Sequence, residues 1–234
     1  MDARGDDRSL CGGRLSVLNY RLSREEMVLT QLERRGIRDP RVLEAMRKVK
    51  RHHFVEPAFR DRSYDDTPLP IEEGQTISQP YVVARMTSLL RIQPTEKVLE
   101  VGTGSGYQAA VLAELAHKVY SIERHMVLMQ KARKNLEEQG YRNVVLKHGD
   151  GTIGWAEFAP FDKIIITAAS PGFPKTLFGQ IKDGGLMVFP MGEKRTQNLI
   201  LVERKGDEAE TTDAGAVSFV PLIGREGWSG SSYD

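Results

Sequence analysis

The feature that most constrains this chain is a regular alternation of short apolar runs and helical segments between residues 98 and 190. Val98–Val101, Val119–Ile122, Val144–Lys147, Asp162–Thr167 and Leu186–Pro190 read as strands. The run Ile164-Ile165-Ile166 has the unbroken apolar character of a strand covered on both faces. Helices are predicted between them over Gly106–Ala116, Met126–Gln139 (ended by Gly140) and Pro174–Lys182. Strands joined through helices by short links pair in parallel through right-handed crossovers. The predicted fold is therefore α/β, a mostly parallel sheet with helices on both faces. Leu199–Glu203 and Val217–Leu222 read as two more strands, joined by a polar, mobile loop from Lys205 to Ala216.

Upstream lies an N-terminal helical and loop extension. Residues 1–22 form a polar lead. Ser23 with Glu26 reads as a capping box that opens a helix running to Arg35, with Gly36 at its end. Asp39-Pro40 opens a second helix, with Asp as cap and Pro at the first position. Residues 54–79 are broken by Pro57, Pro68, Pro70 and Gly74 and hold no helical period, so a functional loop is expected there. Pro80 then starts a helix to about Arg91, with Val82, Val83, Met86, Leu89 and Leu90 on its apolar side. The expected division is 1–22 as lead, 23–92 as N-terminal helices and substrate loop, and 93–234 as a cofactor-binding core. All of it belongs to one compact domain; 40% hydrophobic residues suffice for a core.

The chemistry starts at Glu100-Val101-Gly102-Thr103-Gly104-Ser105-Gly106, a strand end, a glycine-rich turn and a helix start. Glycines permit positive φ and close approach of a ligand to the backbone. A dinucleotide fingerprint would need glycine at position 107, which is Tyr107. The pattern with an acid two residues ahead of Gly-x-Gly-x-Gly instead resembles the first motif of S-adenosyl-L-methionine (AdoMet) methyltransferases. Glu123, at the end of the next strand, can accept hydrogen bonds from ribose hydroxyls, a device that NAD proteins share. Gly149-Asp150-Gly151 follows the third strand; Asp150 can accept from an adenine amino group, or simply form a turn. These three strand ends together make one crevice at the carboxyl edge of the sheet.

The fourth strand ends in Thr167-Ala168-Ala169-Ser170, with neither a Pro-Cys nucleophile nor an Asn-Pro-Pro-aromatic box. An acceptor that is already nucleophilic fits such a site. In Gly74–Tyr81, Pro80 keeps Gln79 out of the helical region, so Thr76 and Ser78 sit on extended backbone as helix caps or as a ligand clamp. The five histidines show no metal spacing, and no metal is expected.

The formal charge of +1 opposes a dedicated nucleic-acid binder or a polybasic membrane anchor. The single Cys11 excludes an internal disulfide and a cysteine zinc site. The charged N-terminus shows no apolar signal region, and no uncharged stretch nears the roughly 20 residues of a membrane helix. A cytoplasmic protein without membrane or nucleic-acid partners, acting as a monomer, is expected.

Three segments carry a closer resemblance. Gly74-Gln-Thr-Ile-Ser-Gln-Pro-Tyr-Val-Val-Ala84, Glu100-Val-Gly-Thr-Gly-Ser-Gly-Tyr-Gln108 and Phe219-Val-Pro-Leu-Ile-Gly224 resemble the protein-L-isoaspartate (D-aspartate) O-methyltransferases, over about residues 24–228. Lys50, Ser63 and Glu72-Glu73 depart from the usual pattern of that family, and the first 22 residues do not match it. The resemblance implies a Rossmann-like AdoMet-dependent methyltransferase fold. It implies methyl transfer from AdoMet to the free α-carboxylate of L-isoaspartyl residues in damaged peptides and proteins, giving S-adenosyl-L-homocysteine. That carboxylate, with a pKa of about 3.5, is ionised at neutral pH and needs no general base.

By the same resemblance Ser78 orients the acceptor as the catalytic residue. Thr76, Ile77, Tyr81, Leu222 and Ile223 join it in binding substrate. Glu100, Gly102, Thr103, Gly104, Ser105, Gly106, Glu123, Asp150, Gly151, Gln79 and Pro80 hold the cofactor. A small-molecule or RNA methyltransferase, an NAD oxidoreductase and a non-catalytic AdoMet-binding module are the other classes that share parts of this crevice.

Overall fold

A computed structural model describes residues 19–193 and 196–229. Cys11 and most of the expected polar lead lie outside them. Helix α1 (Tyr20–Glu26) continues through a wide turn (Met27–Leu32) and a tight one (Glu33–Arg35) to Gly36 at φ 93°. Its cap is Asn19, whose side chain accepts from the backbone N–H of Arg21 and Leu22. The expected capping box at Ser23 is thus corrected: Ser23 lies inside the helix, and its hydroxyl donates back to Asn19 O. Helix α2 (Pro40–Lys48) has the expected Asp39 cap, which accepts from Arg41 N.

The loop at 54–79 contains more structure than its prolines suggest. Short helical turns occupy Arg51–His53 and Pro57–Arg62. Strands β1 (Leu69–Pro70) and β2 (Thr76–Ile77) then pair antiparallel as a small hairpin. Helix α3 (Pro80–Leu89) follows at once.

The core alternates as expected: β3 (Lys97–Val101), α4 (Tyr107–Ala113), β4 (Lys118–Glu123), α5 (Met126–Glu138), β5 (Val144–His148), β6 (Phe161–Ile166), α6 (Lys175–Phe178), β7 (Ile181–Gly192), β8 (Gln197–Lys205) and β9 (Glu208–Val217). Seven strands form one sheet in the order β5-β4-β3-β6-β7-β8-β9. The pairs from β5 to β7 are parallel; β8 and β9 add antiparallel.

Side chains alternate across the sheet. Val98, Ile165 and Val188 face one core with α2, α3 and α4. Leu99, Val101, Ile164, Ile166, Met187 and Phe189 face another, closed by Phe161, Leu177 of α6 and Leu222. Ile164, Ile165 and Ile166 are all fully buried, which is why the apolar run is unbroken. Trimming any of them to alanine costs about 2–5 kcal/mol.

Three element expectations are corrected. The helix expected over 174–182 is one turn, because the chain re-enters the sheet at Ile181, paired with Phe161. The polar stretch after Lys205 is no mobile loop but strand β9, reached through a two-residue turn with Gly206 at φ 62°. An edge strand needs only its backbone ladder, and charged side chains on it deter further pairing; most of β9 is exposed on both faces. The strand expected over 217–222 is an extended segment that crosses the end of β6, where Ala169 N donates to Val220 O and Leu222 N donates to Ala169 O.

Hydrogen–deuterium exchange checks the β9 correction: the amides of 208–217 that point at β8 exchange slowly, and those of the Gly206-Asp207 turn exchange fast. Uniformly fast exchange across 205–216 would restore the loop.

Candidate functional site

The carboxyl ends of β3, β4 and β6 open into one cleft, the crevice in which open α/β sheets hold their ligands. The turn after β3 forms one wall. Gly102 sits at φ 97°, and a β-carbon there would lie 2.4 Å from Thr167 Oγ1. That hydroxyl donates to Gly102 O at 2.7 Å, so the exit of β6 is pinned to the exit of β3. Gly106, at φ 88°, begins α4, and its missing side chain makes room for Ala132 of α5. Gly104 presents nearly bare backbone; only Ile71 Cδ1 stands near, 3.6 Å from a β-carbon placed there.

Glu123 closes β4 and is 5% exposed. One carboxylate oxygen accepts from Gly104 N and the other from His125 N, both at 2.9 Å. A carboxylate has about four lone-pair sites, so acceptor capacity remains for ligand hydroxyls. Beneath the turn, Thr103 and Ser121 hydroxyls lie 2.6 Å apart, and Ser121 donates to Glu100 Oε2. Glu100 is fully buried, and its Oε1 has no hydrogen-bond partner. Burial, opposed by the Ser121 hydroxyl and reinforced by the Glu123 charge, pushes its carboxyl up to about 8. Glu100 is therefore mainly a neutral acid at pH 7.

Thr76, Ile77 and Ser78 line the same cleft, as do Val220, Pro221, Leu222 and Ile223. Ser78 Oγ makes no hydrogen bond among the described residues. Gly102, Thr103, Gly104, Ser105, Glu123 and Gly151 also reach the cleft, so most residues expected to bind ligand meet in one place.

Several expected contact residues stand off the wall. Glu100 lies under the turn and Gly106 is engaged with α5. Asp150, next to the wall residue Gly151, also caps the turn that follows: Oδ1 accepts from Thr152 N and Oγ1, Oδ2 accepts from Arg225 N, and the 224–226 segment is tied down. Burial alone would raise the Asp150 carboxyl; the Thr152 hydroxyl and the backbone N–H groups of Arg225 and Thr152 hold it below the usual range. Pro80 is the buried first residue of α3, with Gln79 as its cap residue, and Tyr81 lies under the Arg35 guanidinium, 3.5 Å from ring centre to Cζ.

Thr167, Gln75, Gln108 and Arg124 line the cleft without having been singled out as ligand contacts. Thr167 is legible only as the last residue of the fourth strand, Gln75 and Gln108 only as members of the quoted segments, and Arg124 carries no local signal. Among the described residues no cluster of His, Cys, Asp or Glu could hold a metal, and no helix is long and apolar enough to cross a membrane.

The chemistry of the donors fits AdoMet. Among the described residues the cleft wall carries one cation, Arg124, against one carboxylate, Glu123. That balance suits an adenosine bearing an amino acid and gives a pyrophosphate no excess of positive charge. The bare Gly104 backbone marks the amino-acid end.

The model of the family Protein-L-isoaspartate(D-aspartate) O-methyltransferase matches residues 23–227. Protein-L-isoaspartate O-methyltransferase 1 of Syntrophobacter fumaroxidans is 51% identical over 214 residues, which span 92% of this chain and all of the relative. The Dictyoglomus thermophilum protein-L-isoaspartate O-methyltransferase is 52% identical over 84% of this chain and 90% of its own. A solved protein-L-isoaspartate O-methyltransferase superposes with a TM-score of 0.79 at 29% identity, covering 87% of this chain and 67% of that one. A Plasmodium falciparum protein of the same designation, in complex with S-adenosyl-L-homocysteine, gives 0.74 at 25% identity over 86% of this chain and 98% of that one.

The raised Glu100 pKa has a signed consequence. The folded state holds this proton where the unfolded chain releases it, so the contribution to stability is full below the ordinary carboxyl pKa of 4.5 and is lost as pH rises toward about 8. Glu100→Gln mimics the neutral acid. Thermal melts are expected to show the parent losing stability relative to Glu100→Gln as pH rises through that window, by a few kcal/mol at about pH 8. Parallel pH curves for the two proteins would contradict a neutral Glu100.

Proposed function

The chain belongs to the protein-L-isoaspartate(D-aspartate) O-methyltransferase family, and from that premise we propose how its own residues carry the reaction. It methylates the α-carboxylate of L-isoaspartyl residues in peptides and proteins, with AdoMet as methyl donor and S-adenosyl-L-homocysteine as the other product. The observation that supports the residue assignment is the cleft itself. The Thr76–Ser78 segment and the glycine turn line one common space.

AdoMet, when bound, supplies an electrophilic methyl group on a sulfonium. Glu123 accepts from the ribose hydroxyls, and the backbone of Gly102–Ser105 takes the methionine part. Gly151 is packed against β3, where a β-carbon would strike Val101 Cγ1 at 2.5 Å, and the adenine is assigned beside it. Asp150 acts through its cap, fixing the 224–226 segment beside Gly151, and Glu100 through Ser121, supporting the turn. Ser78 donates to the acceptor carboxylate and orients it. Leu222, Ile223 and Ile77 exclude water around it. Neither His nor Cys lines the cleft among the described residues, and an ionised carboxylate asks for no base. Catalysis is then mainly alignment of the carboxylate with the methyl group, where proximity and orientation can supply several kcal/mol.

Residues 23–92 provide the acceptor side and the core from residue 93 the cofactor side. We further read the protein as a cytoplasmic monomer without nucleic-acid partners; the formal charge of +1 supports the last point.

Two peptides that differ only in isoaspartate or aspartate at one position test this reading with labelled AdoMet. Base-labile label is expected on the isoaspartyl peptide alone. Ser78→Ala is expected to lower kcat/KM about 10- to 100-fold, the worth of one hydrogen bond to a charged group, with S-adenosyl-L-homocysteine binding kept. Label on neither peptide, with the cofactor still bound, would overturn the acceptor assignment.

A further inference from the structure

The β1–β2 hairpin deserves an explanation that its size does not supply, because two strands of two residues cannot hold themselves in place. Its turn is tight. Gln75 N donates to Glu72 O at 3.1 Å, and Ile71 N donates to Gln75 O at 2.9 Å. Both central residues are left-handed, Glu73 at φ 58° and Gly74 at φ 63°. Glycine accepts that conformation, whereas a glutamate there is disfavoured and persists only where the surroundings hold it.

What holds the hairpin is helix α5. Lys131 Nζ donates to both Glu72 Oε1, in the turn, and Glu56 Oε1, at the start of the same loop. His125 Nδ1 lies 3.3 Å from Glu73 Oε2. The first turns of α5 therefore grip the tip of the hairpin at two places. The same hairpin lays Ile71 over Gly104 and leads directly into Thr76, Ile77 and Ser78 on the cleft wall. Helix α5 starts just after Glu123, so the grip connects the two sides of the cleft across the glycine turn.

We propose that Lys131, through Glu72 and Glu56, is a positioning residue that latches the 71–78 hairpin across the AdoMet cleft and thereby sets how fast S-adenosyl-L-homocysteine leaves. This rests on the reading of the cleft as the cofactor site. Each of the three side chains is about one-third exposed: 31% for Lys131, 27% for Glu56 and 36% for Glu72. Pairs so exposed are weakened by salt, because the screening length falls to about 4 Å near 0.5 M. A latch of this kind holds a strap while permitting it to open.

The test is the dissociation rate of S-adenosyl-L-homocysteine from the whole protein, at low salt and at about 0.5 M. For the parent, release is expected to quicken with salt. Lys131→Ala is expected to release the product about three- to tenfold faster at low salt, with little further salt effect, as suits the loss of two partly exposed ion pairs. Glu72→Gln moves the rate in the same direction, and Lys131→Arg restores the parent rate and its salt dependence. A Lys131→Ala protein with the parent's rate and salt dependence would overturn the latch while leaving the cofactor reading intact. Failure of the parent itself to bind S-adenosyl-L-homocysteine would overturn both.

Discussion

The approach of Gly102 to the Thr167 hydroxyl is the constraint on which the site depends. Two adjacent parallel strands end there, and Thr167 spans the gap by donating to the Gly102 carbonyl. Any side chain at position 102 would separate the strand exits, since its β-carbon would fall within 2.4 Å of that oxygen. With the exits held together, the turn can point its backbone outward, Gly104 can offer its N–H to Glu123, and α4 and α5 can pack closely enough that Ala132 fills the place of a Gly106 side chain. The remaining walls, from the hairpin and from the 220–223 segment, are laid against that fixed edge.

The electrostatics suit a reaction in which opposite charges meet and vanish. A cation-rich site would repel the sulfonium, and an anion-rich site would repel the acceptor carboxylate. Among the described residues the cleft lining carries one of each, with Glu123 also holding two backbone N–H groups. The second acid of the region, Glu100, avoids charging by burial. Its neutral form costs little in a dry interior, whereas its ionised form would be opposed both by desolvation and by Glu123.

The legible part of the sequence was the part where local chemistry and tertiary role coincide. The β3–β6 alternation, the glycine turn and the Pro80 helix start were readable because periodicity, φ preference and the missing proline N–H act locally. Strand β9 was not, because an edge strand with two solvated faces leaves no apolar alternation to read. Asn19 took the cap from Ser23 because either residue can cap, and only the position of the helix in the fold decides between them. Asp150 stands at the expected strand end, but its bond to Arg225 N, 75 residues further along the chain, has no local signal. The same holds for Thr167 and for Lys131, whose partners are distant in sequence; no spacing rule joins residue 131 to residues 56 and 72.

On the proposed reading, the hairpin side and the glycine-turn side of one cleft bring an isoaspartyl carboxylate and the methyl-bearing sulfur into line. The most direct measurement is a crystal structure of the protein with S-adenosyl-L-homocysteine and an isoaspartyl peptide bound together. The account predicts the peptide α-carboxylate hydrogen-bonded to Ser78 Oγ and aimed at the sulfur, at a separation that would leave a transferring methyl carbon about 3–3.5 Å from the attacking oxygen. It also predicts the ribose on Glu123 and the adenine beside Gly151. A carboxylate bound away from the Thr76–Ser78 segment, or a sulfur facing a different wall of the cleft, would contradict it.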